Sequence, residues 1–355
     1  MEFWQSAEFD EHEQVCLLSD APTGLKAIVA IHSTALGPAA GGTRFKSYDS
    51  DALALDDALR LSRAMSYKSA LAGLPCGGGK AVIIGDPGRL KSTPLLHAYG
   101  RFINRMNGGF ATGEDVGMSV ADVDVIGEVS RFVGGTSRDG DTSAFTADGY
   151  LQGLAAVIEH RFARRECKGL RVAVQGLGAV GWGIAERLHE RGAELTVADV
   201  REERVREAKL KFGARAAPPA SIHAADVDVF APCALGGIVH AQSTGEIRAG
   251  AVAGAANNQL ATPQAGKLLA ARGILFAPDY VINAGGIIGS MEAYYQAHGR
   301  DCSALAPIGE RLAGIGRRLR EIFVRSRRDA LTPELTAEAI AREIIGRARA
   351  KARGD

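Results

Sequence analysis

Two kinds of hydrophobic pattern divide the chain. In the N-terminal part, unbroken apolar stretches at residues 25–33 and 80–85 are typical of buried strands, and a stretch with helical spacing lies between them, over about 51–67. A polar, glycine-containing stretch at residues 134–141 then interrupts the pattern and predicts a connection between domains. The N-terminal part is therefore predicted to be a small α/β domain.

Beyond this connection, strands and helices are predicted to alternate. After a helix near residues 146–161, the predicted strands are residues 171–175, 194–199, 228–234 and 251–257, with a helix at 180–191 after the first of them. Such alternation predicts a parallel sheet, because each parallel strand needs a crossover to return the chain. The chain from about residue 305 onward is predicted to be helical, and its basic end is interpreted as a solvated helix face.

Composition excludes several classes of function. A length of 355 residues favours about two domains, and 42 basic residues nearly balance 41 acidic ones, so neither a nucleic-acid nor a membrane surface is indicated. The chain begins without a basic segment followed by an apolar one, and no apolar run approaches the roughly 18 residues of a membrane helix, so we expect a cytoplasmic protein. The five cysteines form no CxxC pair and the eight histidines no HExxH spacing, so neither disulfides nor a metal site is expected.

The sequence GLGAVG at residues 176–181 predicts a dinucleotide site. Its glycines follow a predicted strand and open a predicted helix, which allows a pyrophosphate to approach backbone N–H groups at the helix N-terminus. Asp199 ends the next predicted strand, 199 − 176 = 23 positions after the first glycine, close to the expected spacing of ~20. The candidate residues of this turn are Gly176, Gly178, Ala179, Val180 and Gly181.

Asp199 also bears on the choice of cofactor. Its carboxylate would accept hydrogen bonds from the adenosine ribose hydroxyls and would repel a 2′-phosphate, so NAD is predicted rather than NADP. Arg201 and Arg204 follow closely and weaken this preference slightly. The alternative is that Asp199 only caps the following helix.

Two lysines, Lys68 and Lys80, stand on either side of a glycine-bearing loop. Lys80 lies between three glycines and an apolar strand, an unusual place for a surface charge unless it lines a cleft. A buried lysine near a second ammonium loses its proton more easily and can act as a general base near neutral pH. Spacing alone leaves open that both lysines are ordinary solvated side chains.

Taken together, the motifs resemble those of the glutamate/leucine/phenylalanine/valine dehydrogenase family, most closely its leucine and phenylalanine members. In chain order they are LGPAAGGTR (36–44), the two lysines with PCGGGKAVIIGDP, TGEDVG (112–117), APCALGG (231–237), GAANNQL (254–260) and APDYVINAGG (277–286). The resemblance covers nearly the whole chain. It implies an α/β catalytic domain at residues 1–138, completed by C-terminal helices at about 320–355. A Rossmann-type NAD-binding domain at 139–319 and an active site in the interdomain cleft are implied as well.

The same resemblance implies roles for individual residues. Lys68, helped by backbone N–H near Gly41, binds the substrate α-carboxylate. Lys80 is the general base that activates water, and Asp115 works with it in proton transfer, although the residues alone favour Asp115 as a loop carboxylate that caps a helix. Asn258 positions the substrate's amino or carbonyl group. The nicotinamide half of the cofactor is contacted by Thr146, Cys233, Ala234, Ala255 and Asn257.

Four further residues, Ala40, Gly113, Ile287 and Ser290, line the implied side-chain pocket. Glutamate-specific members carry a lysine at the position of Ala40, so an acidic substrate would be left unpaired here and an apolar one is expected. Leucine-preferring members place leucine at that position and alanine at that of Gly113. The smaller residues here favour phenylalanine or another aromatic substrate over leucine or valine. Ile287 partly refills the pocket, whereas Ser290 departs from the apolar residue of leucine enzymes.

The implied reaction is the reversible, NAD-dependent oxidative deamination of an apolar L-amino acid to its 2-oxo acid and ammonia, carried out by a homo-oligomer. Hydride passes from the substrate Cα to the nicotinamide, and water activated by Lys80 attacks the resulting iminium. The alternatives are a leucine or valine dehydrogenase, or a catalytically silent NAD-binding sensor. The joint presence of the two lysines, Asp115 and Asn258 speaks against the sensor.

Overall fold

The computed structural model describes residues 3–297 and 305–354. The chain divides into one compact unit of Met1–Gly140, Ser290–Leu305 and Ala341–Asp355, and a second of Asp141–Gly289 and Ala306–Ile340. Within the described ranges, no helix combines the length and the apolar character needed to cross a membrane.

The first unit contains a mixed sheet and its covering helices. After a short 3₁₀ helix at Phe3–Gln5, its strands are β1 Gln14–Asp20, β2 Leu25–Ser33, β3 Ala39–Ala40, β4 Thr43–Lys46, β5 Gly77–Ile84 and β6 Phe110–Ala111. Its helices are α1 Asp51–Leu71, α2 Pro87–Leu90, α3 Thr93–Arg105 and α4 Val120–Gly127. The strand order is β1-β2-β5-β3-β6, with β4 also paired to β5, and β2 is antiparallel to both of its neighbours.

This sheet is buried on both faces, which explains its continuous apolar strands. Along β2, Ala27, Val29 and Ile31 belong to the core that contains α3 and α4, whereas Ile28 and Ala30 belong to the core that contains α1. Since successive side chains of a strand point to opposite faces, both sets must be apolar. The strand predicted at residues 25–33 is therefore confirmed.

The second unit is built on a parallel sheet. Its elements are α5 Ser143–Phe162, β7 Arg171–Gln175, α6 Ala179–Glu190, β8 Glu194–Ala198, α7 Glu202–Phe212, β9 Arg215–Ala216, a 3₁₀ helix Ile222–Ala224, β10 Val229–Pro232, α8 Ala241–Glu246, β11 Ala251–Val252, α9 Pro263–Ala271, β12 Leu275–Phe276 and α10 Asp279–Ile282. They are followed by α11 Gly285–Ala297, α12 Ile308–Asp329 and α13 Pro333–Arg353. Of these, α11 and α13 begin in the second unit and end in the first.

The strand order of this sheet is β12-β11-β10-β7-β8-β9, with every pair parallel. This is the Rossmann order, and the direction of strand addition reverses between β7 and β10, where ligands bind in such sheets. The strand expected at residues 251–257 is only two residues long. It ends before Gly254, whose missing Cβ lets the backbone pack against Pro232.

The C-terminal helices divide differently from the sequence-based expectation. Residues from about 320 onward were expected to complete the first domain, but α12 belongs to the second unit, and only Ala341–Asp355 joins the first. Close packing of α12 on α5 is the physical reason. Gly153 of α5 has no side chain, and an ideal Cβ there would lie 3.0 Å from Leu319 Cδ1 and 2.6 Å from Ile282 Cγ1.

Substituting Gly153 by valine should therefore destabilise the second unit. A branched side chain would overpack this helix contact, and we expect the free energy of unfolding to fall by about 1–3 kcal/mol. Gly346→Val on α13 is the matched control, because an ideal Cβ there meets no described atom within 4 Å. Denaturant unfolding of both variants makes the comparison, and equal stabilities would contradict the packing argument.

Candidate active site

Lys80 is a buried lysine on β5. Gly78, Lys80 and Val82 alternate with residues of the opposite face and therefore point towards α1. The glycine allows the helix to come close, because a Cβ on Gly78 would lie 2.0 Å from the backbone nitrogen of Ser66. Only 6% of the Lys80 side chain is exposed. A charge in such a position needs a partner of opposite charge.

Asp115 is that partner. Its Oδ2 accepts a hydrogen bond from Lys80 Nζ at 2.5 Å, and its Oδ1 accepts from Arg44 Nε at 2.8 Å and from the Val116 N–H at 2.7 Å. The loop that carries Asp115 packs closely on the chain at Gly42, where an ideal Cβ would lie 3.2 Å from the Asp115 Cβ. The predicted pairing of Lys80 with Asp115 is thus present, and Arg44 is an additional member that sequence analysis did not single out.

The electrostatics of the pair follow from burial and charge. Burial lowers the pKa of Lys80 below the usual 10.5, Asp115 opposes this shift, and the Arg44 cation adds to it. Burial alone would raise the pKa of Asp115, but Lys80 and Arg44 outweigh it and hold that pKa at about 2. At neutral pH Asp115 is a carboxylate, and Lys80 loses its proton more readily than an exposed lysine.

Lys68 lies on α1, on the side that carries Met65. Residues three apart share a helix face, and Met65 Cγ lies 3.3 Å from the ideal Cβ position of Gly41. The structure therefore places Lys68 and Gly41 in the same region. The Gly41 N–H itself donates to the Ala111 carbonyl at 3.1 Å and is engaged in the sheet.

The predicted pocket residues are distributed over both units. Ala40 on β3, Gly113 and Ser290 belong to the first unit, and Ile287 belongs to the second. Gly113 is tightly confined, because an ideal Cβ would lie 2.8 Å from the carbonyl oxygen of Gly134. An alanine at position 113 would therefore require a shift of the neighbouring backbone.

The glycine turn after β7 has the geometry that its sequence predicts. Gly176 has φ +96°, and a Cβ on Gly181 would lie 1.9 Å from the Gly176 carbonyl oxygen, so both positions require glycine. Around Gly178, the N-cap of α6, no described atom lies within 4 Å of the ideal Cβ. The helix N-terminus is therefore open to an anionic group.

A cavity of about 640 Å³ adjoins this turn within the second unit. It lies at the ends of β7 and β10 and is lined by Gly176, Gly178, Asp199, Cys233 and Ala234, among others. Five of the predicted cofactor residues are thus brought together where the strand order reverses. The residue types fit a dinucleotide, since an open helix N-terminus and a carboxylate face the same space.

Asp199 is a partly buried, ionised carboxylate that accepts hydrogen bonds from the turn. Its Oδ2 accepts from the Leu177 N–H at 2.6 Å, and its Oδ1 accepts from the Arg201 N–H at 2.8 Å. Burial would raise its pKa, but these N–H groups lower it below the usual value. The N-cap of α7 is Arg201, so the alternative of Asp199 as a helix cap is wrong. Arg204 lies over the Trp182 ring, at 5.3 Å from its centroid.

The remaining predicted cofactor residues lie outside the lining of this cavity. Ala179 and Val180 form the first turn of α6, and Thr146 lies near the start of α5. Asn257 and Ala255 are both held by Asn283, whose Nδ2 donates to Asn257 Oδ1 at 2.7 Å and to the Ala255 carbonyl at 3.2 Å. Asn283 was not singled out from the sequence, although it stands in the quoted motif APDYVINAGG.

Asn258 occupies an unusual backbone conformation. Its φ is +52°, in the left-handed region that asparagine tolerates better than most residues, and its carbonyl accepts from the Gly237 N–H at 2.7 Å. The side chain is exposed in the second unit. Asn258 thus belongs to the second unit, whereas Lys68 and Lys80 belong to the first.

Within residues 3–297 and 305–354, no three His, Cys, Asp or Glu side chains are grouped as ligands for a metal ion. Cys16, Cys76, Cys167 and Cys233 are free thiols, and Cys302 lies outside the described residues. The first unit buries a lysine against a carboxylate, and the second unit is a Rossmann sheet with its glycine turn. This combination is typical of a two-domain dehydrogenase.

Comparison with known proteins specifies the class. Residues 12–131 match the model described as "Glu/Leu/Phe/Val dehydrogenase, dimerisation domain", and residues 194–348 match "Glutamate/Leucine/Phenylalanine/Valine dehydrogenase". The chain is 43% identical to leucine dehydrogenase of Geobacillus stearothermophilus, over 97% of this chain and 94% of that protein. It is 45% identical to valine dehydrogenase of Streptomyces albus, over 96% and 94%.

A solved structure supports the same conclusion. L-tryptophan dehydrogenase from Nostoc punctiforme is 41% identical and superposes with a TM-score of 0.85, covering 96% of this chain and 97% of that one. The chain therefore belongs to the glutamate/leucine/phenylalanine/valine dehydrogenase family. It is an NAD-dependent amino acid dehydrogenase that acts on the CH–NH₂ group.

Two glycine substitutions in the turn should have opposite consequences. Gly178→Ala adds a methyl group to open space, so we expect the melting temperature to stay the same while NAD affinity falls by about 10-fold or more. Gly181→Ala drives a methyl group into the Gly176 carbonyl and should lower the melting temperature. Thermal melting and calorimetric NAD titration separate the effects. Unchanged NAD affinity in folded Gly178→Ala would refute the assignment of this turn to the cofactor.

Proposed function

We propose that this protein catalyses the reversible oxidative deamination of a branched-chain L-amino acid, leucine or valine, to its 2-oxo acid and ammonia. The observation that carries the chemistry is the buried Lys80 held against Asp115. The choice of substrate is supported by the leucine and valine dehydrogenases that share 41–45% identity with the chain. The aromatic preference expected from the sequence has no support among these relatives.

Lys80 is assigned the general base. Bound NAD would supply the hydride acceptor for oxidation at the substrate Cα. With its lowered pKa, Lys80 takes a proton from the water that attacks the substrate iminium, and it returns a proton as the carbinolamine collapses to oxo acid and ammonia. Asp115 stabilises the protonated lysine between these steps and shares in proton transfer. Lys68 binds the substrate α-carboxylate.

The proposal assigns the cofactor to the second unit. The turn from Gly176 to Gly181 would hold the pyrophosphate, and Asp199 would hold the adenosine ribose, which favours NAD. Thr146, Cys233, Ala234, Ala255 and Asn257 are assigned to the nicotinamide half. Asn258 is assigned to the amino or carbonyl group of the substrate.

The side-chain pocket is assigned to Ala40, Gly113, Ile287 and Ser290. None of these side chains carries a positive charge to pair with a carboxylate, so an acidic substrate is disfavoured. An aromatic substrate is the second candidate. It is favoured by the small side chain of Ala40, together with the likeness to a tryptophan dehydrogenase. A homo-oligomer is also proposed, supported by the match of residues 12–131 to a dimerisation domain.

Replacing Lys80 by alanine should remove the base without disturbing the cofactor site. We expect turnover of L-leucine to fall by about 10²–10⁴-fold while the Kd for NAD is unchanged. Lys267→Ala, which removes an exposed lysine, is the control and should behave as the wild type. Initial rates of NADH formation and calorimetric titration provide both readouts. Near-normal turnover in Lys80→Ala would overturn the proposed chemistry.

A substrate panel tests the choice of amino acid. With NAD in excess, the wild type should show its highest kcat/KM on L-leucine or L-valine, whereas a maximum on L-phenylalanine or L-tryptophan would select the second candidate.

Ala40→Leu should fill the pocket and lower kcat/KM for the aromatic substrates relative to leucine by about 10-fold or more. Ala52→Leu, on an exposed part of α1, should leave the ratio unchanged.

A further inference from the structure

Arg44 stands behind the Lys80–Asp115 pair and has no role in the mechanism above. We infer that Arg44 is a positioning residue: anchored by Asp57, it holds one oxygen of Asp115 so that the other faces Lys80, and it divides the charge of that carboxylate between two cations. The inference rests on the proposed role of Lys80 as the base. It adds a residue that tunes the base without touching the substrate.

The first support is that the Arg44 guanidinium donates hydrogen bonds to two carboxylates. Arg44 Nε donates to Asp115 Oδ1 at 2.8 Å, and Arg44 Nη1 donates to Asp57 Oδ2 at 3.0 Å. The exposed fractions of these side chains are 15% for Arg44, 20% for Asp115 and 11% for Asp57, so solvent screens their interactions only partly. One planar group thus links two carboxylates, which the single ammonium of a lysine could not do with the same geometry.

The second support is that Asp57 is itself held in place. Its Oδ2 accepts from Tyr48 Oη at 2.8 Å, and its Oδ1 accepts from Arg60 Nη2 at 2.6 Å. Asp57 lies within the long helix α1, which packs on β5. The anchor of Arg44 is therefore a fixed point of the fold.

Strand register explains why Arg44 reaches the pair. Arg44 on β4 is paired with Val82 on β5, two residues beyond Lys80. Because alternate residues of a strand face the same side, Lys80 and Val82 both face α1. Neighbouring Phe45 belongs to the opposite core, so Arg44 also points towards α1. The sheet thereby places Arg44 and Lys80 on the face that is covered by α1, the helix that carries Asp57.

The charges around Lys80 predict the direction in which its pKa would change if Arg44 were removed. Asp115 and Asp57 raise the pKa of Lys80, whereas Arg44 lowers it, and Lys68 on α1 is the other cation assigned to this site. Without Arg44, Lys80 would lose a repulsive cation and would also face the undivided charge of Asp115. Both changes favour the protonated lysine, so Lys80 would lose its proton and become a base only at higher pH.

Three substitutions test this inference through the pH dependence of kcat/KM in oxidative deamination, measured with L-leucine and excess NAD. For Arg44→Gln we expect the inflection on the acidic side to move up by about one pH unit, with activity partly restored above it. For Asp57→Asn, which removes an anion, the inflection should move down. Arg60→Gln is the matched control, since Arg60 also contacts Asp57 but is 45% exposed and lies outside the Asp115 contact. Its profile should match the wild type.

The opposite pH shifts expected for Arg44→Gln and Asp57→Asn distinguish an electrostatic effect on the pKa of Lys80 from a merely structural role. Loss of activity at all pH values in both Arg44→Gln and Asp57→Asn, without opposite shifts, would overturn the inference, as would superimposable profiles. If Arg44→Gln does not fold, Arg44→Lys tests the same point. It keeps the charge, so the inflection should stay near the wild-type value while kcat falls, and an inflection shifted up by a full unit would overturn the inference. Activity retained by Lys80→Ala would instead refute the proposed function itself.

Discussion

The burial of one ammonium group, that of Lys80, is the constraint on which the first unit depends. A charge removed from water is tolerated only beside an opposite charge, so the fold must deliver Asp115 to within hydrogen-bond distance. Gly78 lets α1 lie close to the strand, and Gly42 lets the Asp115 loop pack closely. Arg44 then completes a cluster in which neither carboxylate nor ammonium is left alone. Burial of this cluster makes the lysine reactive and simultaneously makes its neighbours indispensable.

In the second unit, a helix N-terminus is proposed to bind the anionic pyrophosphate in place of a cluster of positive side chains. Its parallel sheet reverses strand order between β7 and β10, and the turn at Gly176 exposes a helix N-terminus at that point. Asp199 braces the turn through the Leu177 N–H and presents its charge to the same cavity. In the proposed assignment, the turn at Gly176 would bind the pyrophosphate and the adjoining Asp199 carboxylate would disfavour a 2′-phosphate.

Local patterns in the sequence predicted the elements that are determined locally. The strands at residues 25–33 and 171–175 coincide with those of the structure, because strands buried on both faces are unbroken apolar runs. No helix was predicted at Thr93–Arg105, and the two-residue strand at 251–252 was expected to be longer. Arg44 and Asp57 were not singled out from the sequence, since only the pairing of β4 with β5 and the packing of α1 bring them together. The assignment of α12 to the second unit likewise depends on helix packing that no sequence pattern revealed.

The protonation of Lys80 is the quantity that tests this account most directly. Selective ¹³C labelling of lysine Cε, with the Lys80 resonance assigned by its absence in Lys80→Arg, allows NMR titration in the wild-type protein. The exposed lysines provide an internal reference in the same spectra. The account predicts that Lys80 titrates with a pKa below 10.5 and below those of the exposed lysines. A pKa at or above 10.5 would show that Asp115 dominates over burial and Arg44, and it would contradict Lys80 as the base.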